Sequence, residues 1–164
     1  MLNWSLPEQQ SVLTNLLELY LHDLSHLHDL QIGLDGRFGY QNLPLYWSRR
    51  DRHPFLIKVA GGWAGFVLLK RVPVVATSDT VWDMAEFFLL RRFRGRGIGI
   101  LAAHAAWRNH PGNWQVRVMQ SNAAGLRFWN RAIAEFCGTP LQSSAFEQEG
   151  RSWQLFSFQS KPAP

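Results

Sequence analysis

Between Val12 and Leu27 apolar residues return at intervals of three and four: Val12, Leu13, Leu16, Leu17, Leu19, Tyr20, Leu24 and Leu27. That spacing predicts one long amphipathic helix, opening at Ser5-Leu6-Pro7-Glu8 and ending near Leu30. A glycine-bearing loop, Gly33 to Asn42, follows. Phe55–Val59 and Trp63–Leu69 then flank Ala60-Gly61-Gly62, the pattern of a β-hairpin. Val72 to Ala76 extends or follows it, although Pro73 argues against a central strand there. Val81 to Leu90 is nearly all apolar, as in a strand covered on both faces. Gly97 to Asn109 reads as a helix with Ile98, Leu101, Ala102 and Ala105 on one face, stopped by His110-Pro111-Gly112-Asn113. Trp114 to Met119 alternates like a strand, and Asn122 opens a helix to about Glu135 that buries Leu126, Trp129 and Ile133. Leu141 to Gln148, a Glu149-Gly150 turn and Trp153 to Phe158 make a second hairpin. No repeat, low-complexity tract or linker interrupts this order, so one domain over 1–164 is expected, an α/β (α+β) fold on a sheet of mixed direction.

Composition adds bounds. Of 164 residues, 46% are hydrophobic and 18% charged, which suits a globular domain with a sizeable core. No apolar run approaches the roughly 20 residues of a membrane span. The start, MLNWSLPEQQ, lacks the basic and apolar stretches of a secretory signal, and Cys137 is the single cysteine, so a cytoplasmic protein without internal disulfides is expected. Charge changes the picture more. The net charge is +5, and between Glu86 and Glu135 there is no acidic residue and no lysine, only arginines: Arg91, Arg92, Arg94, Arg96, Arg108, Arg117, Arg127 and Arg131. Guanidinium forks suit phosphate oxygens, so an anionic partner is expected in this half, either nucleic acid or a phosphorylated small molecule.

The densest part of that charge lies where a strand turns into a helix, in Arg94-Gly95-Arg96-Gly97-Ile98-Gly99. A helix start presents amides without intrahelical partners, and glycines let an anion approach them closely. A diphosphate would be held there by main-chain donors with arginines around it. The P-loop pattern needs Lys-Ser/Thr after its second glycine, whereas Gly99 precedes Ile100-Leu101. The dinucleotide fingerprint needs an acid about 20 residues on, whereas residues 117–121 read Arg-Val-Met-Gln-Ser.

The remaining phosphate loop is the acyl-CoA turn of the GNAT acetyltransferases, Arg/Gln-x-x-Gly-x-Gly/Ala after an apolar strand, and Arg94, Gly97 and Gly99 match it in register. Asn122-Ala-Ala-Gly-Leu-Arg-Phe-Trp129 is similar to that family's Asn-x-x-Ala-x-x-Leu/Phe-Tyr segment, and Gly65-Phe66 to its third-strand Gly-Phe. The chain thus resembles the GNAT superfamily from about Val12 to Phe158, and its small bacterial members without an assigned function. The resemblance implies a mostly antiparallel mixed sheet, helices on both faces, splayed between strand four (81–90) and strand five (114–119). It implies acetyl-CoA as acyl donor, an amine as acceptor, and no membrane. Dimers are common among such proteins, so a homodimer is one expected state. The implied acyl-CoA contacts are Leu89, Leu90, Arg91, Arg92, Arg94, Gly95, Arg96, Gly97, Ile98 and Gly99, with Asn122 and Trp129; the backbone of Leu89 would meet the pantetheine or acetyl amide groups.

The implied reaction is direct attack by an amine on the thioester, which needs a base for the ammonium proton. Glu86 is the carboxylate nearest the loop in sequence, expected at the start of strand four among apolar neighbours that would raise its pKa. A structural carboxylate paired with an arginine is its plainer alternative. The family's leaving-group acid is a tyrosine where Trp129 stands, so the thiolate leaves unassisted or another group such as Ser121 or Tyr20 serves. Tyr20, Asp23 and Ser25 border the implied acceptor site. His22 and His26 stand one helical turn apart, yet without further ligands they read as a polar helix end, and no metal is expected. Two other readings stay open: an RGG-like nucleic-acid module and a GNAT fold that binds acyl-CoA without transfer.

Overall fold

The structure, a computed structural model, describes residues 1–74 and 79–161. Seven strands form one sheet: β1 Leu2–Trp4, β2 Arg52–Val59, β3 Gly62–Pro73, β4 Thr80–Leu89, β5 Gly112–Met119, β6 Ser144–Gln148 and β7 Arg151–Ser160. Their spatial order is β1-β2-β3-β4-β5-β7-β6. Every pairing is antiparallel except β4 with β5. That parallel pair needs a crossover, which helix α3, Ile98–Asn109, supplies. The other helices are α1 Gln10–His28, the single turn α2 Leu45–Ser48, and α4 Ala123–Cys137.

The local chemistry explains most boundaries. Both expected hairpins turn on two residues with positive φ, Ala60 and Gly61 in one and Glu149 and Gly150 in the other, the conformation that matches strand twist. The Asn122 side chain accepts from the Gly125 amide (2.9 Å) and caps α4, which ends at Gly138 with φ +73. Pro73 ends β3 beyond Lys70, the last residue paired with β2, so its missing N–H interrupts no central ladder.

Three expectations need correction, and two elements were not expected at all. Strand β1 and helix α2 had no sequence signal. Helix α1 begins at Gln10 after a 3₁₀ turn over Pro7–Gln9, and ends at His28, where Asp29 adopts a left-handed conformation. Helix α3 buries Gly99, Ala102, Ala103, Ala106 and Trp107, while Leu101 is 68% exposed, so its core face is rotated from the expected one. Strand β4 stops at Leu89; Leu90 instead opens a 3₁₀ turn over Arg91–Phe93. Val72 and Pro73 lie in β3, whereas Ala76 falls outside the described residues.

Alternation along the strands makes two cores. One lies under α3 and α4 and centres on Trp107, Trp114, Ile133 and Phe156. The other lies under α1 and α2, where Leu13, Leu16, Leu17 and Tyr46 meet Leu56, Phe66, Leu68 and Phe88. The sheet therefore has helices on both faces. Among the described residues, β4 and β5 pair at Trp82↔Trp114 and Asp83↔Gln115, then part. Asp83, fully buried, closes that junction: it accepts from Gln115 (3.0 Å) and from Arg117 Nη2 (2.9 Å), with Lys70 at 3.4 Å. Beyond it the sheet is open.

Candidate functional site

The parting of β4 and β5 leaves a cleft of about 1200 Å³, walled by α1, β4, the 91–97 turn, β5 and α4. Its geometry begins with the backbone. Leu90 N donates to Ala64 O (2.8 Å), which makes that a hydrogen-bonded pair. Antiparallel alternation then turns the N–H and C=O of Leu89, opposite Gly65, to the other edge, toward β5. Phe87 opposite Val67 faces the same way. The Leu89 carbonyl is taken by Arg94 Nε (2.8 Å), so its amide is the donor left at the parting.

The turn that follows is held by glycine. Gly95 (φ +72) and Gly97 (φ +76) take conformations that favour glycine, and a Cβ added at either would have no heavy atom within 4 Å. Space lies open above them. Gly97 starts α3, leaving Ile98, Gly99 and Ile100 as first-turn amides without intrahelical partners, and Leu101 N is the first to bond back, to Gly97 O. With Gly95, Arg96 and Gly97, six consecutive amides have no backbone partner among the described residues. Gly99 is needed for another reason: a Cβ there would sit 2.9 Å from the Phe128 ring, where α3 packs on α4.

Of the expected contact residues, Leu89, Arg91, Arg94, Gly95, Gly97, Gly99, Asn122 and Trp129 line the cleft. Leu90, Arg92, Arg96 and Ile98 belong to the same turn but do not line it. Arg92 lies over the Phe93 ring (4.9 Å), and Arg96 is exposed. Asn122 serves as helix cap. Trp129 is buried edge-on against Phe87 (5.1 Å) and Phe128 (4.8 Å).

The opposite wall is α1. Asp23 forms ion pairs with Arg91 (2.8 Å) and Arg94, so it ties α1 to the turn. Burial pushes its carboxyl up, but hydrogen bonds from Arg94 and Arg91 outweigh that and hold it below the ordinary value. Ser25 turns inward on its own helix, donating to His22 O (2.7 Å), and does not line the cleft. Tyr20 does, and its hydroxyl donates to Glu86 Oε2 (2.5 Å). Tyr40, from the loop after α1, donates to Glu86 Oε1 (3.0 Å).

Glu86 lies late in β4, past the β4–β5 pairing, and not at the strand's start as expected. Its partners are tyrosines, not an arginine. Burial raises its pKa; the hydrogen bonds from Tyr20 and Tyr40 and the charge of Lys70 oppose the rise without cancelling it. The result is a part-buried carboxylate of raised proton affinity on the wall of an arginine-rich cleft. Tyr40 was missed because nothing in a glycine-bearing loop marks a side chain for burial. One signal existed: the chain has three tyrosines, Tyr20, Tyr40 and Tyr46, and a carboxylate in an apolar strand needs donors. Among the described residues no group of three or more His, Cys, Asp or Glu could hold a metal ion, and no helix is long and apolar enough to cross a membrane.

No protein-family model and no curated protein matches the chain. Solved structures do. The acetyltransferase of GNAT family from Streptococcus pneumoniae is 14% identical, with 98% of this chain and 99% of that chain covered and a TM-score of 0.59. An acetyltransferase from Thermus thermophilus is 15% identical, with 96% of each chain covered and a TM-score of 0.62. Arabidopsis thaliana NAA60, solved in complex with a bisubstrate analogue, is 15% identical, with 97% of each covered and a TM-score of 0.57. At such identities the fold is what is shared.

Proposed function

From the GNAT fold, we propose that the chain is an N-acetyltransferase that takes acetyl-CoA as donor and passes its acetyl group directly to an amine held in the same cleft. The observation that carries this reading is the run of unpaired amides from Gly95 to Ile100 at the head of α3. Amides without backbone partners, the positive end of a helix and open space over two glycines suit a diphosphate. Arg91 and Arg94 add charge at its edge. Leu89's amide faces the parting, where an extended amide-bearing arm would complete the ladder. The bound donor supplies an acetyl group activated as a thioester. Glu86 takes the proton that makes the acceptor nitrogen nucleophilic, a role its raised pKa suits.

One feature favours a second reading, acyl-CoA binding without transfer. Where the resembling family places a tyrosine, Trp129 lies buried, and an indole N–H is no useful acid. Two measurements decide. Acetyl-CoA at 100 times its Kd should stabilise the fold by about 2.7 kcal/mol, read as a rise in Tm. Thiol release across a panel of amines should then show turnover; stabilisation without release selects the binder. Gly97→Glu should abolish the Tm shift, because a carboxylate would enter the anion's space from a φ that disfavours side chains. Stabilisation by oligonucleotides but not by acetyl-CoA, with steep salt dependence, would overturn both readings.

A further inference from the structure

Glu86 accepts two phenol hydroxyls, one on each oxygen, and the two phenols stand in different places. Tyr20 lines the main cleft together with Glu86. Tyr40 lines a second cavity, of about 540 Å³, between α1 and the 31–44 loop, and does not line the cleft. The loop that delivers it is pinned from α1: Glu18 accepts from Phe38 N (2.8 Å) and Gly39 N (3.0 Å), two residues and one residue before Tyr40. A hydroxyl has one proton to donate and two lone pairs. Tyr20 spends its proton on Glu86 and keeps its lone pairs to accept with, which is what an incoming ammonium requires.

Resting on the acetyltransferase reading, the geometry points to Tyr20 as a second catalytic residue that accepts the acceptor's N–H and relays the proton to Glu86, with Tyr40 as the positioning residue that fixes the carboxylate's far oxygen. The N–H bond of the ammonium breaks toward Tyr20 Oη while the phenol's own proton crosses its 2.5 Å hydrogen bond to Glu86 Oε2. The freed nitrogen lone pair forms the C–N bond at the acetyl carbonyl, the C–S bond breaks, and sulfur leaves with the electron pair. The nitrogen's surplus proton goes to that sulfur. Tyr20 ends as it began, and Glu86 gives its proton to solvent once product has left the cleft, which restores the base. The same hydrogen bond removes Tyr20 as the acid for the thiolate, because its proton is already directed at a carboxylate. The titratable groups facing Glu86 are Tyr20 from α1, Tyr40 from the loop, Tyr46 from α2, Lys70 from β3 and Asp83 from β4.

The test uses Tyr20→Phe and Tyr40→Phe in the full chain. Infrared titration reads the Glu86 carboxyl, its band assigned by loss in Glu86→Gln. Each phenylalanine variant removes a donor that favours the carboxylate, so each should raise the Glu86 pKa. With a turned-over amine, Tyr20→Phe should lower kcat at least about tenfold while leaving KM for acetyl-CoA unchanged. Tyr40→Phe should shift the acid limb of the pH profile upward, in step with the Glu86 pKa, and lower kcat less than Tyr20→Phe does. A Tyr20→Phe variant with wild-type kcat, or a Glu86 titration that neither variant moves, overturns the relay. Failure of the transferase reading has a separate signature in the wild type, either no stabilisation by acetyl-CoA or stabilisation without thiol release from any amine, and the relay then falls with it.

Discussion

Burial gives Glu86 a raised proton affinity, and that has a thermodynamic side as well as a chemical one. Between the ordinary carboxylate pKa and the raised folded value, the native chain binds more protons at this site than the unfolded chain does. Its contribution to stability is therefore present at low pH and lost as pH rises through that window. Tm measured against pH should show this decline in the wild type, and Glu86→Gln should flatten it while slowing turnover and leaving acetyl-CoA binding intact. A second residue is constrained by contact. A Cβ on Gly65 would lie 2.0 Å from the Phe88 carbonyl oxygen, because β3 and β4 approach closely there. Gly65→Ala should cost about 3 kcal/mol in a denaturant melt. Both positions stood out in the sequence, one as an acid in an apolar run and one in a Gly-Phe pair. The roles of Tyr40 and Asp23 did not, because their partners lie 46, 68 and 71 residues away.

Elements with a strong period were legible to within a few residues: α1, α4 and both hairpins follow from spacing and turn chemistry. Strand β1 was not, because three residues cannot establish a period of two; it pairs backbone to backbone with β2 over Phe55–Ile57. The face of α3 was misjudged because, Trp107 and His104 apart, its buried stripe is alanine and glycine, and small residues that allow close helix packing carry little hydrophobic signal. The link between α1 and the arginine turn is likewise invisible in a sequence, and it makes a prediction. Asp23 holds Arg91 and Arg94, which are 77% and 45% exposed, so the pairing should be worth at most about 1 kcal/mol. Because the folded pKa of Asp23 is lowered, that contribution is present above the unfolded carboxylate pKa and disappears as pH falls through the folded one. The Tm gap between wild type and Asp23→Asn should close accordingly in acid.

At the scale of the whole molecule, the sheet consists of β1–β4 and of β5, β7 and β6, joined among the described residues by two residue pairs and by the buried Asp83 with Gln115 and Arg117. Asp83 is buried but Arg117 and Lys70 keep 27% and 23% of their side chains in contact with solvent, so Asp83→Ala should cost less than the roughly 3–5 kcal/mol of a fully buried pair in a denaturant melt. The open edge beyond that junction has a consequence for motion. The amides of Phe87 and Leu89 point into a gap with no strand to protect them, so they should exchange with deuterium far faster than the amides of Phe88 and Leu90, which face β3. A ligand whose own carbonyl lies along that gap would slow Leu89 selectively, and the protection of a single amide would report how the half-finished ladder is completed.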